Sequence, residues 1–191
     1  MSAEGKRRII VGISGASGVC YGIRLLEVLA EKDEVETHLI MTDPAKKTLE
    51  LETSLRVEGV ERLADVVHDV RDLSAPPSSG SFLTSGMVVA PCSIKTLSAI
   101  ANSYNDNLLV RAADVCLKER RRLVLLVRET PLHLGHLELM AQVARLGGVI
   151  MPPVPAFYHR PRSVEEIVDQ TVGKVLDLFG IETDLFRRWG R

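Results

Sequence analysis

A hydrophobic run that leads directly into a glycine-rich turn constrains the fold of this chain more than any other feature. From Ile9 to Gly18 the residues are Ile-Ile-Val-Gly-Ile-Ser-Gly-Ala-Ser-Gly, and an amphipathic segment follows. This order predicts a buried strand over Ile9–Ile13, a tight turn, and a helix over Val19–Glu31. Such a turn presents backbone N–H groups and the positive end of a helix dipole to an anion. The sequence therefore predicts a protein that holds a phosphorylated small molecule at the end of its first strand.

Length and charge limit the class of protein. The chain has 191 residues, and we expect residues 1–191 to form a single domain with a C-terminal tail over Thr183–Arg191. The net charge of −1 predicts no nucleic-acid or acidic-membrane partner. We find neither a signal-peptide core nor a membrane-spanning apolar run. Three scattered cysteines do not make a disulfide framework or a zinc site, so we expect a cytoplasmic protein.

Strands and helices alternate along the rest of the chain. The further predicted strands are Val35–Met41, Val66–Val70, Gly86–Ala90, Leu123–Val127 and Val149–Met151. The further predicted helices are Ala45–Glu52, Val57–Ala64, Ile94–Ala101, Leu108–Arg120, Leu134–Leu146 and Val164–Phe179. A loop rich in Pro, Ser and Gly is expected over Asp72–Ser85. Alternation of this kind predicts an α/β fold with three layers, a doubly wound parallel sheet of the Rossmann or flavodoxin-like type.

Candidate ligand-binding segments follow from the rule that such sheets bind ligands beyond the carboxyl ends of their strands. The rule collects Ser14–Gly18, Thr42, Pro91–Thr96, Arg128–Glu129 and Pro155–Tyr158 at one edge.

The first turn favours a mononucleotide over a nicotinamide dinucleotide. Ser14 stands where the dinucleotide motif has its second glycine, and Asp43 is better placed to cap a helix than to bind a ribose. At Pro91–Thr96, Ser93 and Thr96 offer hydroxyl and N–H groups at a helix start, suited to a phosphate or a flavin edge. A turn or cap without any ligand is the alternative at both places.

Other candidate groups have simpler explanations beside the functional one. Glu129 follows a buried strand, where it can transfer protons if desolvation raises its pKa, or else cap the next helix. Cys92 is expected to be a small buried thiol. His133 and His136 have the wrong spacing for a zinc helix, so no metal is predicted. The cations Arg111, Lys118, Arg128 and Lys174 are, taken singly, typical of a surface.

Eight motifs in order nonetheless identify a family. They are Gly15–Gly18, Pro91–Leu97, Arg111–Val115, Leu117–Arg120, Val127–Leu132, His136–Glu138, Pro155–His159 and Arg188–Trp189. Together they span nearly the whole chain, which resembles the UbiX-like flavin prenyltransferases, including the small partner proteins of aromatic-acid decarboxylases. The resemblance implies a flavodoxin-like fold, a homo-oligomer that is a dodecamer, and active sites where subunits meet. It also implies transfer of a dimethylallyl group from dimethylallyl phosphate to N5 and C6 of reduced FMN. The prenylated FMN then serves a UbiD-like decarboxylase.

The resemblance also assigns roles to residues. It implies that FMN is held by Gly15, Ala16, Ser17, Thr42, Ser93, Ile94, Lys95, Thr96 and Arg128. The donor phosphate is implied to bind Lys118, Tyr158, Lys174 and Arg111. The implied catalytic residues are Glu129 for proton transfer, Ser17 beside the reacting flavin edge, and Lys118 at the leaving phosphate.

Three positions depart from the family pattern. Lys174 stands where many members have Arg, Leu73 where some have Trp, and Leu139 where Asn is usual. Two other functions stay open. An FMN-dependent cysteine decarboxylase of the same fold would use a catalytic His after an early strand, whereas His38 lies inside the predicted second strand. The second open function is that of a non-catalytic protein that carries flavin.

Overall fold

Six parallel strands form the centre of the computed structural model, which describes residues 5–190. The strands are β1 (Arg7–Ile13), β2 (Val35–Met41), β3 (Val66–His68), β4 (Gly86–Cys92), β5 (Arg122–Val127) and β6 (Val149–Ile150). Their order across the sheet is β3-β2-β1-β4-β5-β6. The direction of winding reverses between β1 and β4, which makes that point the switch point of a doubly wound sheet. The predicted fold class is therefore confirmed.

Helices cover both faces of the sheet. They are α1 (Val19–Ala30), α2 (Asp43–Glu52), α3 (Val57–Glu61), α4 (Ile94–Ala101), α5 (Leu108–Lys118), α6 (Leu134–Arg145) and α7 (Val164–Leu178). Helices α1 and α7 pack on one face with a core that includes Leu26 and Val172, while α4 and α5 pack on the other around Leu97 and Leu109. Because each face buries its own apolar layer, the central strands β1, β4 and β5 are apolar almost throughout.

Strand β4 runs further than predicted. Its predicted end is Ala90, because proline cannot donate a ladder hydrogen bond. The strand continues through Pro91 to Cys92, which pairs with Val127 on β5 after a shift in register. In contrast, β3 ends at His68 and is shorter than predicted, so the segment after it is free to reach the edge of the sheet.

Some predicted features lie outside the part of the chain that the structure describes. These are the first four residues of the polar N-terminus and Arg191, the last residue of the predicted tail. Among the described helices, none combines the length and the apolar character needed to cross a bilayer.

A cavity mutation in the sheet tests the two-layer core. Leu126 on β5 is 1% exposed, and its replacement by Ala removes packing on the face covered by α1 and α7. We expect Leu126→Ala to lower the free energy of unfolding by about 2–5 kcal/mol. Leu83→Ala is the matched control, because that side chain is 71% exposed and we expect a change within about 0.5 kcal/mol. Urea denaturation of both variants measures the difference, and equal values would contradict the packing described.

Candidate active site

A cavity of about 450 Å³ opens at the carboxyl edge of the sheet, at the switch point between β1 and β4. Its lining includes seven of the predicted site residues, namely Gly15, Thr42, Ser93, Ile94, Lys95, Thr96 and Glu129. The other residues that line it come mainly from the segment after β3 and from the start of α5. The fold thus brings seven of the predicted residues together from four separate segments, and two further segments complete the lining.

The turn after β1 is shaped by a close approach that only glycine allows. A Cβ atom on Gly15 would lie 2.3 Å from Cβ of Pro44, at the start of α2. Gly18 has φ of 98°, in the left-handed region, and precedes the first residue of α1. These two glycines let the turn pass close against α2 and then enter α1.

The buried Ser14 hydroxyl ties the two strands at the switch point together. Its Oγ donates to the carbonyl of Pro91 at 2.9 Å and accepts from the Ser93 backbone N–H at 2.8 Å. The backbone N–H of Ser14 also donates to the carbonyl of Pro91. Ser14 is therefore a structural residue, which fixes the turn after β1 against the start of α4.

Two helix N-termini face the cavity, and their caps match the predicted polar residues. Thr42 accepts the N–H of Ala45 at the start of α2, and Ser93 accepts the N–H of Thr96 at the start of α4. Thr42, and not Asp43 as predicted, is the N-cap of α2, because Asp43 is already the first helical residue. The Asp43 carboxylate instead accepts from Arg71 at 2.5 Å. The helix dipoles and first-turn N–H groups make this edge favourable for an anion.

Glu52 is a charged group beside the turn after β1 that the sequence analysis missed. From the last position of α2, its Oε2 accepts the N–H groups of Gly18 at 2.9 Å and Val19 at 3.2 Å. The side chain of Ser17 also acts to lower the pKa of this carboxylate. Burial acts to raise the pKa of Glu52, but these hydrogen bonds and the charge of Arg128 together hold that pKa below its usual range. A signal existed, since Gly18 has no side chain with which to cap α1.

Glu129 lies at the cavity, directly after Arg128. Its carboxylate accepts the N–H of Thr130 at 3.0 Å, and His133, not Glu129, occupies the N-cap position of α6. The side chain is exposed in a single chain. Any desolvation of Glu129 must therefore come from a ligand or from a second chain.

Arg111 and Lys118, predicted to bind phosphate, share a separate cavity of about 520 Å³. Both lie on α5 and face the loop over residues 78–81. Arg111 donates to the carbonyl of Ser78 and pairs with Asp114, while Lys118 pairs with Glu119. The two cations thus flank a serine- and glycine-rich loop, an arrangement suited to an anion.

Tyr158 and Lys174 occupy a third region. Tyr158 stacks edge-on against Trp189 with ring centroids 5.4 Å apart, in a cavity of about 670 Å³ that three arginines also line. Lys174 pairs with Asp177 at 3.4 Å, and Asp177 accepts two bonds from Arg188. In one chain, therefore, the predicted phosphate-binding residues divide between two places, each apart from the cavity that Glu129 lines.

Cys92 and the paired histidines take no part in these cavities. Cys92 is fully buried, and burial raises the pKa of its thiol, so it is the inert core residue that the sequence predicted. His133 and His136 stack with centroids 3.6 Å apart. Among the described residues, no group of three or more His, Cys, Asp or Glu side chains is placed to hold a metal ion.

Comparison with known proteins gives consistent results over almost the full length. Residues 1–176 match the Flavoprotein family. The chain is 63% identical over 185 residues to a protein named flavin prenyltransferase UbiX from Escherichia coli K12, which covers 96% of this chain and 98% of that protein.

Two solved structures share the fold closely. One is AnUbiX in complex with FMN and dimethylallyl pyrophosphate, with a TM-score of 0.95 and 51% identity, covering 97% of this chain and 98% of that one. The other is a dodecameric FMN-dependent UbiX-like decarboxylase from Escherichia coli O157:H7, with a TM-score of 0.94 and 50% identity. That match covers 96% of this chain and all of the other.

The contact between Glu52 and the start of α1 gives a pH-dependent prediction. Because the folded pKa is lowered, the ionised carboxylate stabilises the fold above the unfolded pKa, and this contribution is lost as the pH falls through the folded pKa. We expect Glu52→Gln to cost about 0.3–1 kcal/mol at neutral pH, a value discounted for solvent screening. Denaturant titrations near pH 7 and near pH 3 measure the change, with exposed Glu50→Gln as the control. A Glu52→Gln penalty that is unchanged in acid would contradict the assignment.

Proposed function

This chain belongs to the UbiX flavin prenyltransferase family, and we propose that it transfers a dimethylallyl group from dimethylallyl phosphate to N5 and C6 of reduced FMN. The observation that carries the proposal is the switch-point cavity. It joins two helix N-termini, suited to a phosphate, to the carboxylate of Glu129, while the Glu52 carboxylate lies against the neighbouring turn at Gly18. A phosphorylated flavin that loses protons as it is alkylated needs both features.

The residues at the cavity fit FMN. The close approach of Gly15 to Pro44 leaves no room for a side chain at position 15, and the cavity of about 450 Å³ has a size typical of ligand sites. We assign FMN binding to nine residues, Gly15, Ala16, Ser17, Thr42, Ser93, Ile94, Lys95, Thr96 and Arg128. Lys95 is mostly exposed and pairs only loosely with Asp106, at 3.6 Å, so it is available to a phosphate.

Proton transfer in this site falls to side chains on the two sides of the cavity. When bound and reduced, FMN supplies the electron-rich N5 and C6 atoms to which the prenyl carbons become attached. Glu52 stays ionised at neutral pH and lies against the turn that carries Ser17, so we propose that this carboxylate accepts a proton there. Glu129, on the opposite side of the switch point, is the proposed proton donor or acceptor for the phosphate.

Cations and a phenol then stabilise the leaving group. The donor C–O bond breaks and its electron pair leaves with the phosphate, where Lys118, Arg111, Lys174 and Tyr158 are proposed to compensate the charge. A lysine at position 174 supplies a single charge point, without the two-pronged hydrogen bonding of an arginine. Exclusion of water keeps the allylic group from being hydrolysed first.

A second chain is proposed to complete the site. The pair Arg111 and Lys118 lies in one cavity and Tyr158 in another, so their joint action on one phosphate requires residues from neighbouring subunits. Helix α6 buries Val143 alone and leaves Leu134 and Leu137 exposed, as expected for a helix that meets another subunit. We propose a dodecamer, the state given for the similar E. coli O157:H7 protein.

The product and the compartment are further parts of the proposal. We propose that prenylated FMN passes to a UbiD-like decarboxylase. The other product is free phosphate, so the modified flavin is the product that can serve a further enzyme as a cofactor. We also propose a cytoplasmic location, because the cysteine thiols are not paired in disulfides. Cys20, Cys92 and Cys116 are all free, and Cys20 is exposed, which suits a reducing compartment.

The cysteine decarboxylase alternative is not favoured. It requires a catalytic histidine after an early strand, but His38 is buried within β2 and its two ring nitrogens are bonded to Glu36 and His68. High identity over the whole chain to a flavin prenyltransferase agrees with this conclusion.

Mass spectrometry of the flavin product tests the function. Purified protein given reduced FMN and dimethylallyl phosphate is expected to form a flavin heavier by one C₅H₈ unit. Glu129→Gln should bind FMN but form little of this product, with a rate lower by about 10²–10⁴. The matched control is Glu58→Gln, on α3 and exposed, which should retain the wild-type rate.

Two outcomes would contradict the proposal. Unmodified FMN with both monophosphate and diphosphate donors would exclude the prenyl transfer. Full activity in Glu129→Gln would remove Glu129 from the proton step, whereas bound FMN with no turnover by the wild-type protein would support a carrier role.

Mixed oligomers test whether two chains build one site. Lys118→Ala and Tyr158→Phe chains are each expected to lose most activity when assembled alone. If different chains supply these two residues, about a quarter of the sites in an equal mixture contain both intact groups. Co-refolded mixtures should therefore recover about a quarter of the wild-type rate in the product assay. No recovery above the two parents would show that both residues act from one chain.

A further inference from the structure

A chain of hydrogen-bonded polar groups crosses three strands of the sheet. Glu36 and His38 lie on β2, and His38 Nε2 is 2.8 Å from Glu36 Oε1. The other ring nitrogen, His38 Nδ1, is 2.9 Å from Nε2 of His68 on β3. Arg8 on β1 donates to the same Glu36 oxygen at 2.8 Å. We call the groups Glu36, His38 and His68 the histidine relay.

The relay is shielded from solvent at its centre. His38 is 4% exposed, and the ring of Phe82 packs edge-on against it at 5.0 Å while Arg8 stacks over that same ring. The charged groups that face the two histidines are Glu36, Arg8 behind it, and Asp72 beside His68. The proposed proton-transfer residues, Glu52 and Glu129, take no part in it.

The hydrogen bond between His38 Nδ1 and His68 Nε2 has room for one proton between these two nitrogens, but not for two. When both rings are neutral and His38 Nε2–H donates to Glu36, His38 Nδ1 accepts from His68 Nε2–H. With a proton on both nitrogens of His38, His38 Nδ1–H donates to His68 Nε2 instead. With both rings protonated, two N–H groups would face each other across 2.9 Å and the bond would be lost. Burial, and then the charge of His38, lower the pKa of His68, while Asp72 opposes them. Protonation of His68 is therefore disfavoured relative to that of an ordinary histidine.

His68 is the last residue before a wall of the switch-point cavity. Val70 and Arg71 line that cavity, and their segment starts from β3, which has only three residues and pairs with β2 alone. Two contacts hold this wall, residues 69–72, beyond β3. The N–H of Leu108 donates to the Val70 carbonyl, and the Arg71 guanidinium donates to the Asp43 carboxylate. Asp65 ties the start of this short edge strand to Thr37 on β2, and the bond between His68 and His38 is the side-chain link at its end, next to the wall.

We propose that the histidine relay is a positioning device, which holds the wall over residues 69–72 against the FMN cavity at neutral pH and releases it in acid. The inference rests on the proposed function, because it takes the switch-point cavity to be the FMN site. His68 does not touch the reacting atoms and acts through Val70 and Arg71. Release of the wall should therefore weaken FMN binding without changing the groups that transfer protons.

Two substitutions of His68 distinguish the loss of the hydrogen bond itself from the loss of its dependence on pH. In His68→Gln the amide can donate to neutral His38 or accept from charged His38, so the link persists at every pH. In His68→Phe an aromatic ring is kept but the link is lost at every pH. His133→Gln is the matched control, since His133 is also a paired histidine but an exposed one.

The affinity for FMN is measured by flavin fluorescence near pH 7.5 and near pH 5 for all four proteins. The FMN phosphate titrates near pH 6 in every sample, so the comparison between proteins isolates the relay. Acidification should weaken binding by the wild type and His133→Gln about three- to tenfold more than it weakens binding by His68→Gln. His68→Phe should bind weakly at both pH values.

Hydrogen exchange over residues 66–73, compared at the same pH, gives a readout that needs no ligand. Near pH 5 this segment should exchange faster in the wild type than in His68→Gln, and near pH 7.5 the two should agree. Equal exchange and equal acid sensitivity in the two proteins would overturn the inference while FMN binding near pH 7.5 upheld the proposed function. If FMN bound at neither pH, the proposed function would fail and the exchange comparison alone would decide the inference.

Discussion

The hydroxyl of Ser14 is the contact on which the site depends. It lies fully buried at the switch point, where it accepts from the N–H of Ser93 and donates to the carbonyl of Pro91. The turn after β1 and the N-terminus of α4 are thereby fixed to each other before any ligand arrives. A buried hydroxyl whose donor and acceptor are both satisfied specifies one arrangement of these two segments, because losing either partner leaves a polar group unpaired. The anion-binding edge of the sheet is consequently preformed.

Charge is distributed unequally around this edge. Two helix N-termini and Lys95 make one side favourable for a phosphate, whereas Glu52 places a negative charge against the first turn of α1. The N–H groups of Gly18 and Val19 are therefore already satisfied and are not available to a phosphate. We therefore propose the start of α4, and not the first glycine turn that the sequence marked, as the stronger phosphate site, and the turn as a place for proton transfer.

Local rules explain what could be predicted from the sequence. The turn at Gly15 and Gly18 and the cap Ser93 each depend on neighbouring residues, and the sheet follows from the alternation of elements. Glu52 could not be predicted in this way, because its partner Gly18 is 34 positions away in the chain. The bond between His38 and His68 required the register of β2 and β3. Whether the phosphate-binding residues converge depends on neighbouring chains, about which residue spacing says nothing.

A structure of the oligomer with FMN and a non-reactive analogue of the prenyl phosphate tests the central claim most directly. The claim is that the switch-point cavity of one chain and the cation clusters of its neighbours form one site. The account predicts FMN against Gly15–Ser17 and the start of α4, with Lys118, Glu129 and Tyr158 around one phosphate and at least two chains contributing. A flavin bound elsewhere, or Lys118 and Tyr158 directed to different phosphates, would contradict it.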